Sequence, residues 1–136
     1  MSMSPDEKEQ LVGLLQDARH WCQGAEARDA EGHDVVYSDA DATAWDLTGA
    51  ACRLFGWRRA RELFVQIDRH LHGGDANPTP TDSGIAAMVA LQTWNDDVQT
   101  THAELVARLQ SLPVCGVRDS EPRQPMGDTV GERTQR

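Results

Sequence analysis

The stretch WRRARELFVQIDRHL, residues 57–71, places Ala60, Leu63, Phe64, Ile67 and Leu71 three or four positions apart. At 3.6 residues per turn these fall on one face of a helix, with Arg58, Arg59, Glu62, Asp68 and Arg69 facing elsewhere. A rod with one apolar face cannot hide that face alone. The rest of the chain must therefore supply matching surfaces, and the sequence offers four.

The first helix opens on Ser4 as N-cap, Pro5 at the first helical position and Glu7 completing an S-x-x-E box. Leu11, Leu14, Leu15, Ala18 and Cys22 continue its stripe, so the spacing predicts an end near His20 or Trp21, before Gly24. A second helix is expected from Ser38 or Asp39, with Asp39 and Asp41 at its positive end. Its inner face would hold Ala44, Leu47, Thr48, Ala51, Leu54 and Phe55, and Gly56 would stop it. Gly49 in mid-helix costs about 1 kcal/mol relative to Ala, which points to another group approaching closely there. The third helix is expected from about Trp57 to His72, closed by Gly73-Gly74. The fourth spans roughly Ser83 to Asp96, with Ile85, Met88, Val89 and Gln92 on one side and Leu91 and Trp94 beside them. The fifth follows a second capping box, Thr101 to Glu104, and carries Leu105, Val106, Leu109 and Leu112 until Pro113 ends it.

Between the first two helices, Val35, Val36 and Tyr37 favour extended chain, and Asp29 to Gly32 reads as a turn. A two-stranded hairpin, Ala25–Arg28 against Val35–Tyr37, is predicted. Such a hairpin is marginal alone and must lie on helices. The expected fold is thus mainly all-α, with about five short helices around one core and a small β-hairpin after the first. Residues 1–112 would form this single domain. Residues 113–136, rich in Pro, Gly and scattered charge, would be a disordered tail.

Charge narrows the partners. The chain has 13 basic and 22 acidic residues, a net charge of −9. The tail is neutral, with four Arg and four acids, so the whole excess lies in residues 1–112. Such a body repels phosphate backbones, so direct nucleic-acid binding is not expected, whereas a basic protein partner is. No apolar run approaches the length of a membrane span, and the acidic start MSMSPDEKEQ lacks the pattern of a signal peptide. Cys22, Cys52 and Cys115 are odd in number and form no C-x-x-C pair. Both facts predict a cytoplasmic protein without a disulfide framework.

Known site logic is mostly missing. The sequence has no phosphate-binding glycine loop, no dinucleotide fingerprint, no H-E-x-x-H and no nucleophile elbow. SDADATAWD fails as a calcium loop because Ala44 stands where glycine is needed. His70 and His72, two apart on a helix, diverge and make poor joint ligands. No metal or cofactor is expected. Cys22 would sit at a helix C-terminus, where the dipole opposes a thiolate, so its role is structural. Cys52 reads as a small buried hydrophobe. Trp21 and Trp94 sit at helix–loop junctions, where buried indoles need a partner for the N–H.

Three blocks, WCQGAEARDAEG, DATAWDLTGA and WNDDVQTTHAELVARL, occur in that order across residues 11–112. Together they resemble a family of small bacterial and phage proteins of unknown function. Its pattern is W-C-x-G-A-x-A-R-D-A-x-G, then A-x-x-W-C-x-x-G-A, then N-D before a T-H-x-E helix. Trp21, Cys22, Gly24, Arg28, Asp29, Gly32, Trp45, Gly49, Ala50, Asn95, Asp96, Thr101 and His102 occupy the matching positions. The chain departs where Asp46 replaces the cysteine after the second tryptophan, which argues against a two-cysteine centre shared with Cys22. The resemblance implies no activity.

Arg28, Asp29, Asn95, Asp96 and His102 lie in turns and off the apolar stripes, which makes them candidates to line one ligand cleft. A salt bridge between Arg28 and Asp96 would tie the hairpin to the WND junction. The expected function is a non-enzymatic binding or regulatory module. One alternative is a small enzyme using those five residues, with Asp96 or Asp29 as base and His102 or Arg28 as electrostatic helper. Another is an acidic decoy of a basic DNA-binding protein.

Overall fold

The computed structural model describes residues 3–71 and 84–114. Five helices form as expected: α1 Pro5–Leu15, α2 Leu47–Phe55, α3 Trp57–Leu71, α4 Gly84–Asp96 and α5 His102–Gln110. Their buried residues, with Met3 and Leu112, join one core cluster that runs from Leu11 and Leu15 through Ala50, Leu63, Phe64, Ile67 and Leu91 to Leu105 and Leu109. No described helix is long and apolar enough to cross a membrane. The Gly73-Gly74 stop and residues 115–136 of the expected tail, with Cys115, lie outside the described residues.

The caps read from the sequence hold α1 and α5. The Ser4 hydroxyl accepts from Glu7 N, and the Glu7 carboxylate accepts from Ser4 N. At α5 the Thr101 hydroxyl accepts from Glu104 N, and among the described residues the return bond of the expected box is absent, the Glu104 carboxylate lying toward Arg108 instead. The end of α1 differs from expectation. It stops at Leu15, and Ala18–His20 form a separate 3-10 turn capped by Asp17. The reason is how the last carbonyls of α1 are satisfied. His20 Nδ1 lies 3.0 Å from Leu14 O, and His102 Nε2, arriving from α5, lies 2.7 Å from Leu15 O. Two imidazoles replace the next helical turn.

The sheet is larger than the expected hairpin. Strand β1, Ala27–Asp29, pairs antiparallel with β2, Asp34–Val35, and on its other edge with β3, Ala42–Trp45. Gly32, at φ +87°, makes the β1–β2 turn. The residues of β3 were expected inside the second helix. They are extended because β1 would otherwise carry a row of unpaired backbone groups on the edge facing the helices. Asp39 and Asp41 correspondingly form a turn, with Asp39 Oδ1 accepting from Asp41 N at 2.7 Å. Helix α2 begins at Leu47, eight or nine residues later than expected, on Asp46 as N-cap.

Helix α2 is the most enclosed element, buried at every position from Leu47 to Cys52. Gly49 is required there: a Cβ would collide with the carbonyl oxygen of Glu26. Helix α4 is rotated from its expected face. Ala87, Leu91 and Asn95 are buried, while Ile85 and Val89 are each 53% exposed. Small residues let α4 approach α3: a Cβ on Gly84 would meet the Arg61 backbone oxygen at 2.9 Å. The branched residues are left outside. On α3 the expected stripe is buried, and so is Asp68, which the periodicity placed elsewhere.

Candidate functional site

The polar motif residues gather into two places. The first is a hub where the 21–24 loop plugs the C-terminal end of α4. Asn95, fully buried, is its centre. Its Oδ1 accepts from Trp21 Nε1 at 2.7 Å and from Leu47 N at 3.0 Å. Its Nδ2 donates to Cys22 O at 3.1 Å and to Asp96 Oδ1 at 2.9 Å. One side chain thereby joins the loop, the start of α2 and the end of α4. Gln23 completes the plug: its Nε2 donates to the carbonyls of Asn95, in the last turn of α4, and of Asp97 and Thr100 in the turn that follows. Asp96 Oδ1 also accepts from Gly24 N. Gly24 has φ +87°, and a Cβ there would press on the Arg28 guanidinium.

Arg28 and Asp96 reach the same loop from two sides, yet no hydrogen bond or ion pair joins them among the described residues. The expected pairing is replaced. Arg28 Nη1 binds Asp34 at 2.8 Å and Nη2 donates to Gln23 O at 3.0 Å. Asp34 is the cross-strand neighbour of Arg28, so the shorter connection wins. His102 is held by Leu15 O and packs at 5.8 Å, tilted, on the Trp21 ring. The indole N–H partner expected for Trp21 is therefore Asn95.

Burial keeps the two thiols of this region protonated at neutral pH. The Cys22 thiol donates to Ala25 O, and burial, assisted by the Asp46 carboxylate, pushes it up to about 11. Cys52 is buried as expected, and burial pushes its thiol up to about 12. Neither is a ready nucleophile. Asp46 caps α2 through Gly49 N and Thr48 Oγ1, and burial raises its carboxyl to about 7 against those bonds.

The second place is the outer end of the sheet. Residues 26–46 carry seven acids and a single Arg. Asp29, Ala30 and Glu31 of the β1–β2 turn, with Ala40, Asp41 and Thr43, line a cavity of about 430 Å³. Asp29 is fixed here. Its Oδ1 accepts from the backbone of Glu31 and His33, and Oδ2 lies 3.3 Å from His33 Nδ1. The His33 backbone bond leads in holding the Asp29 carboxyl below its ordinary range. Donor atoms of Asp29, Glu31 and His33 lie within 4.8 Å of one another and could hold a metal. Glu31 and His33 are exposed, and it is Asp29 that braces the turn, through the backbone of Glu31 and His33 and the His33 ring.

Of the five cleft candidates, Asn95, Asp96, His102 and Arg28 surround the 21–24 loop, while Asp29 belongs to the acidic cavity. Gln23 and Asp46 are the side chains that sequence reasoning missed. Gln23 stands in a turn that reads as generic polar loop. Asp46 carries the N-cap residue type directly before Leu47, a signal obscured by reading the helix as already begun.

No curated protein and no solved structure matches this chain. Residues 9–112, which contain both the hub and the acidic cavity, match a family model, and the protein belongs to that family of unknown function, DUF6197.

Proposed function

We propose that the protein is a non-catalytic binding module that presents the acidic end of its sheet to a basic segment of a partner protein. The observation that carries this reading is the cavity lined by Asp29, Glu31 and Asp41, within a segment holding seven acids and one Arg. The cation in that segment, Arg28, is already engaged by Asp34. Asp29 is held by His33 and the turn backbone, which leaves Glu31 and Asp41 as the cavity carboxylates without a cation among the described residues. Arginine suits them, because its planar fork meets a carboxylate through two parallel bonds. The hub supports a non-catalytic reading, since Asn95, Asp96, Gln23 and His102 are spent on internal hydrogen bonds. A cytoplasmic setting fits a thiol-bearing module of this kind.

Fluorescence anisotropy with a labelled oligoarginine peptide tests the reading on the full chain. Binding should weaken with salt and fall at least fivefold in Glu31→Gln/Asp41→Asn. The double variant Asp6→Asn/Glu9→Gln, on exposed α1 positions, should bind as the parent does. Equal losses in both variants would reduce the effect to net charge and overturn the proposal. A basic DNA-binding protein is one partner with this chemistry.

A further inference from the structure

The corner between α2 and α3 reverses the charge of the rest of the chain. Residues 53–61 hold four Arg and no acid, in a chain whose net charge is −9. Two of the four are spent internally. Arg53 donates to the carbonyls of Tyr37 and Asp39, and Arg59 pairs with Glu7 and Glu62. Arg58 and Arg61 are exposed, and neither has an ion pair among the described residues. They lie three apart on α3, so they are neighbours on its surface. Trp57 stands beside them, 38% exposed, with its ring edge-on to the buried Phe64 at 6.4 Å. The Arg61 guanidinium sits over the Trp57 ring, 5.7 Å from its centroid. Such stacking holds the plane of the fork and leaves its N–H edge for a carboxylate.

The chain carries the complement of this corner on its own sheet. Glu31 and Asp41 line the outer cavity and have no cation among the described residues. Two uncommitted forks correspond to two uncommitted carboxylates, and among the described residues no ion pair joins them within one molecule. A pairing left unmade within one molecule is open between two. We propose that the α2–α3 corner, Arg58 and Arg61 beside Trp57, docks on the acidic sheet end of a second copy of this chain. The inference rests on the reading of that end as a receptor for arginine, and it names the partner. Each fork takes a carboxylate through two parallel bonds, and the Trp57 ring shields the contact from water. The net charge of each copy opposes the approach, but it is screened over about 8–10 Å at physiological salt, and the paired groups meet well inside that distance. A nucleic acid fits the corner less well, because its long phosphate chain would meet the acidic body on either side.

Sedimentation velocity on the full chain tests this. The parent should associate with rising concentration at about 20 mM NaCl and return to monomer at about 500 mM. Arg58→Glu/Arg61→Glu and Glu31→Lys/Asp41→Lys should each stay monomeric at both. An equimolar mixture of the two should regain the parent's association, because each reversed patch then meets a reversed complement. Net charge alone predicts the opposite for the Lys variant, which stands four charges nearer neutrality than the parent and would associate more. The milder Arg58→Gln/Arg61→Gln should weaken association about fivefold or more. A parent that stays monomeric at low salt while the oligoarginine peptide still binds overturns the second-copy inference alone; if the peptide fails as well, the acidic receptor falls with it. Association that survives either reversal overturns the inference, and so does a mixture that stays monomeric. A monomeric parent that takes a labelled oligoglutamate peptide or oligonucleotide through Arg58 and Arg61 would give the corner to a foreign acid and overturn it too.

Discussion

Replacing Asn95 with Asp isolates the hydrogen-bond logic of the hub, because the two side chains have nearly the same shape. The Oδ1 that accepts from Trp21 Nε1 and Leu47 N is retained. The NH2 that donates to Cys22 O and Asp96 Oδ1 becomes a second carboxylate oxygen, facing a carbonyl and a carboxylate. Two hydrogen bonds are lost at about 1 kcal/mol each, and Cys22 O is left without its donor at a cost of about 1–3 kcal/mol. The expected destabilisation at pH 7.5 is therefore about 3–5 kcal/mol, a large share of the roughly 5–15 kcal/mol that holds a domain of this size. Burial and the Asp96 charge would both raise the new carboxyl. Its protonated form regains one donor, so the deficit should shrink as pH falls from 7.5 towards 5. Urea unfolding of parent and variant at the two pH values measures it. A variant within about 0.5 kcal/mol of the parent at pH 7.5 would refute the argument that the four bonds of Asn95 fasten the loop to α2 and α4.

Two further expectations concern packing. Gly49→Ala gains about 1 kcal/mol of helix propensity but drives a methyl group into the Glu26 carbonyl, so urea unfolding should show a net loss of about 2 kcal/mol or more. Leu91→Ala should cost about 2–5 kcal/mol, whereas Val89→Ser, at an exposed position of the same helix, should stay within about 0.5 kcal/mol; equal losses would contradict the rotation of α4.

Much of the candidate site was present in the sequence as residue types but not as an arrangement. Asn95, Asp96, Arg28 and His102 were marked as polar residues of turns; Asn95 and Asp96 instead end α4, with Asn95 on its buried face, His102 opens α5 and Arg28 lies in β1, and all four nonetheless reach the 21–24 loop. Their partners were not legible. Arg28 chose Asp34 over Asp96 because the strand register places Asp34 opposite it, and that register depends on a pairing between separate segments. Asp29 went to the outer cavity because the β1–β2 turn carries it away from the hub.

What the sequence determined by itself is the set of features whose physics is local. The α3 stripe, the Ser4 and Thr101 caps, the Gly32 turn and the stop at Gly56 each need only a few neighbouring residues, and each stands where it was read. What only the tertiary structure decided is everything that satisfies one element's backbone with another's. Ala42–Trp45 became a strand to pair the open edge of β1, α1 ended early because the nearby His20 and the distant His102 meet its carbonyls, and α4 turned its small face inward to approach α3. Periodicity records which faces are apolar. It is silent on where unpaired N–H and C=O groups find partners, and those partners lie far along the chain.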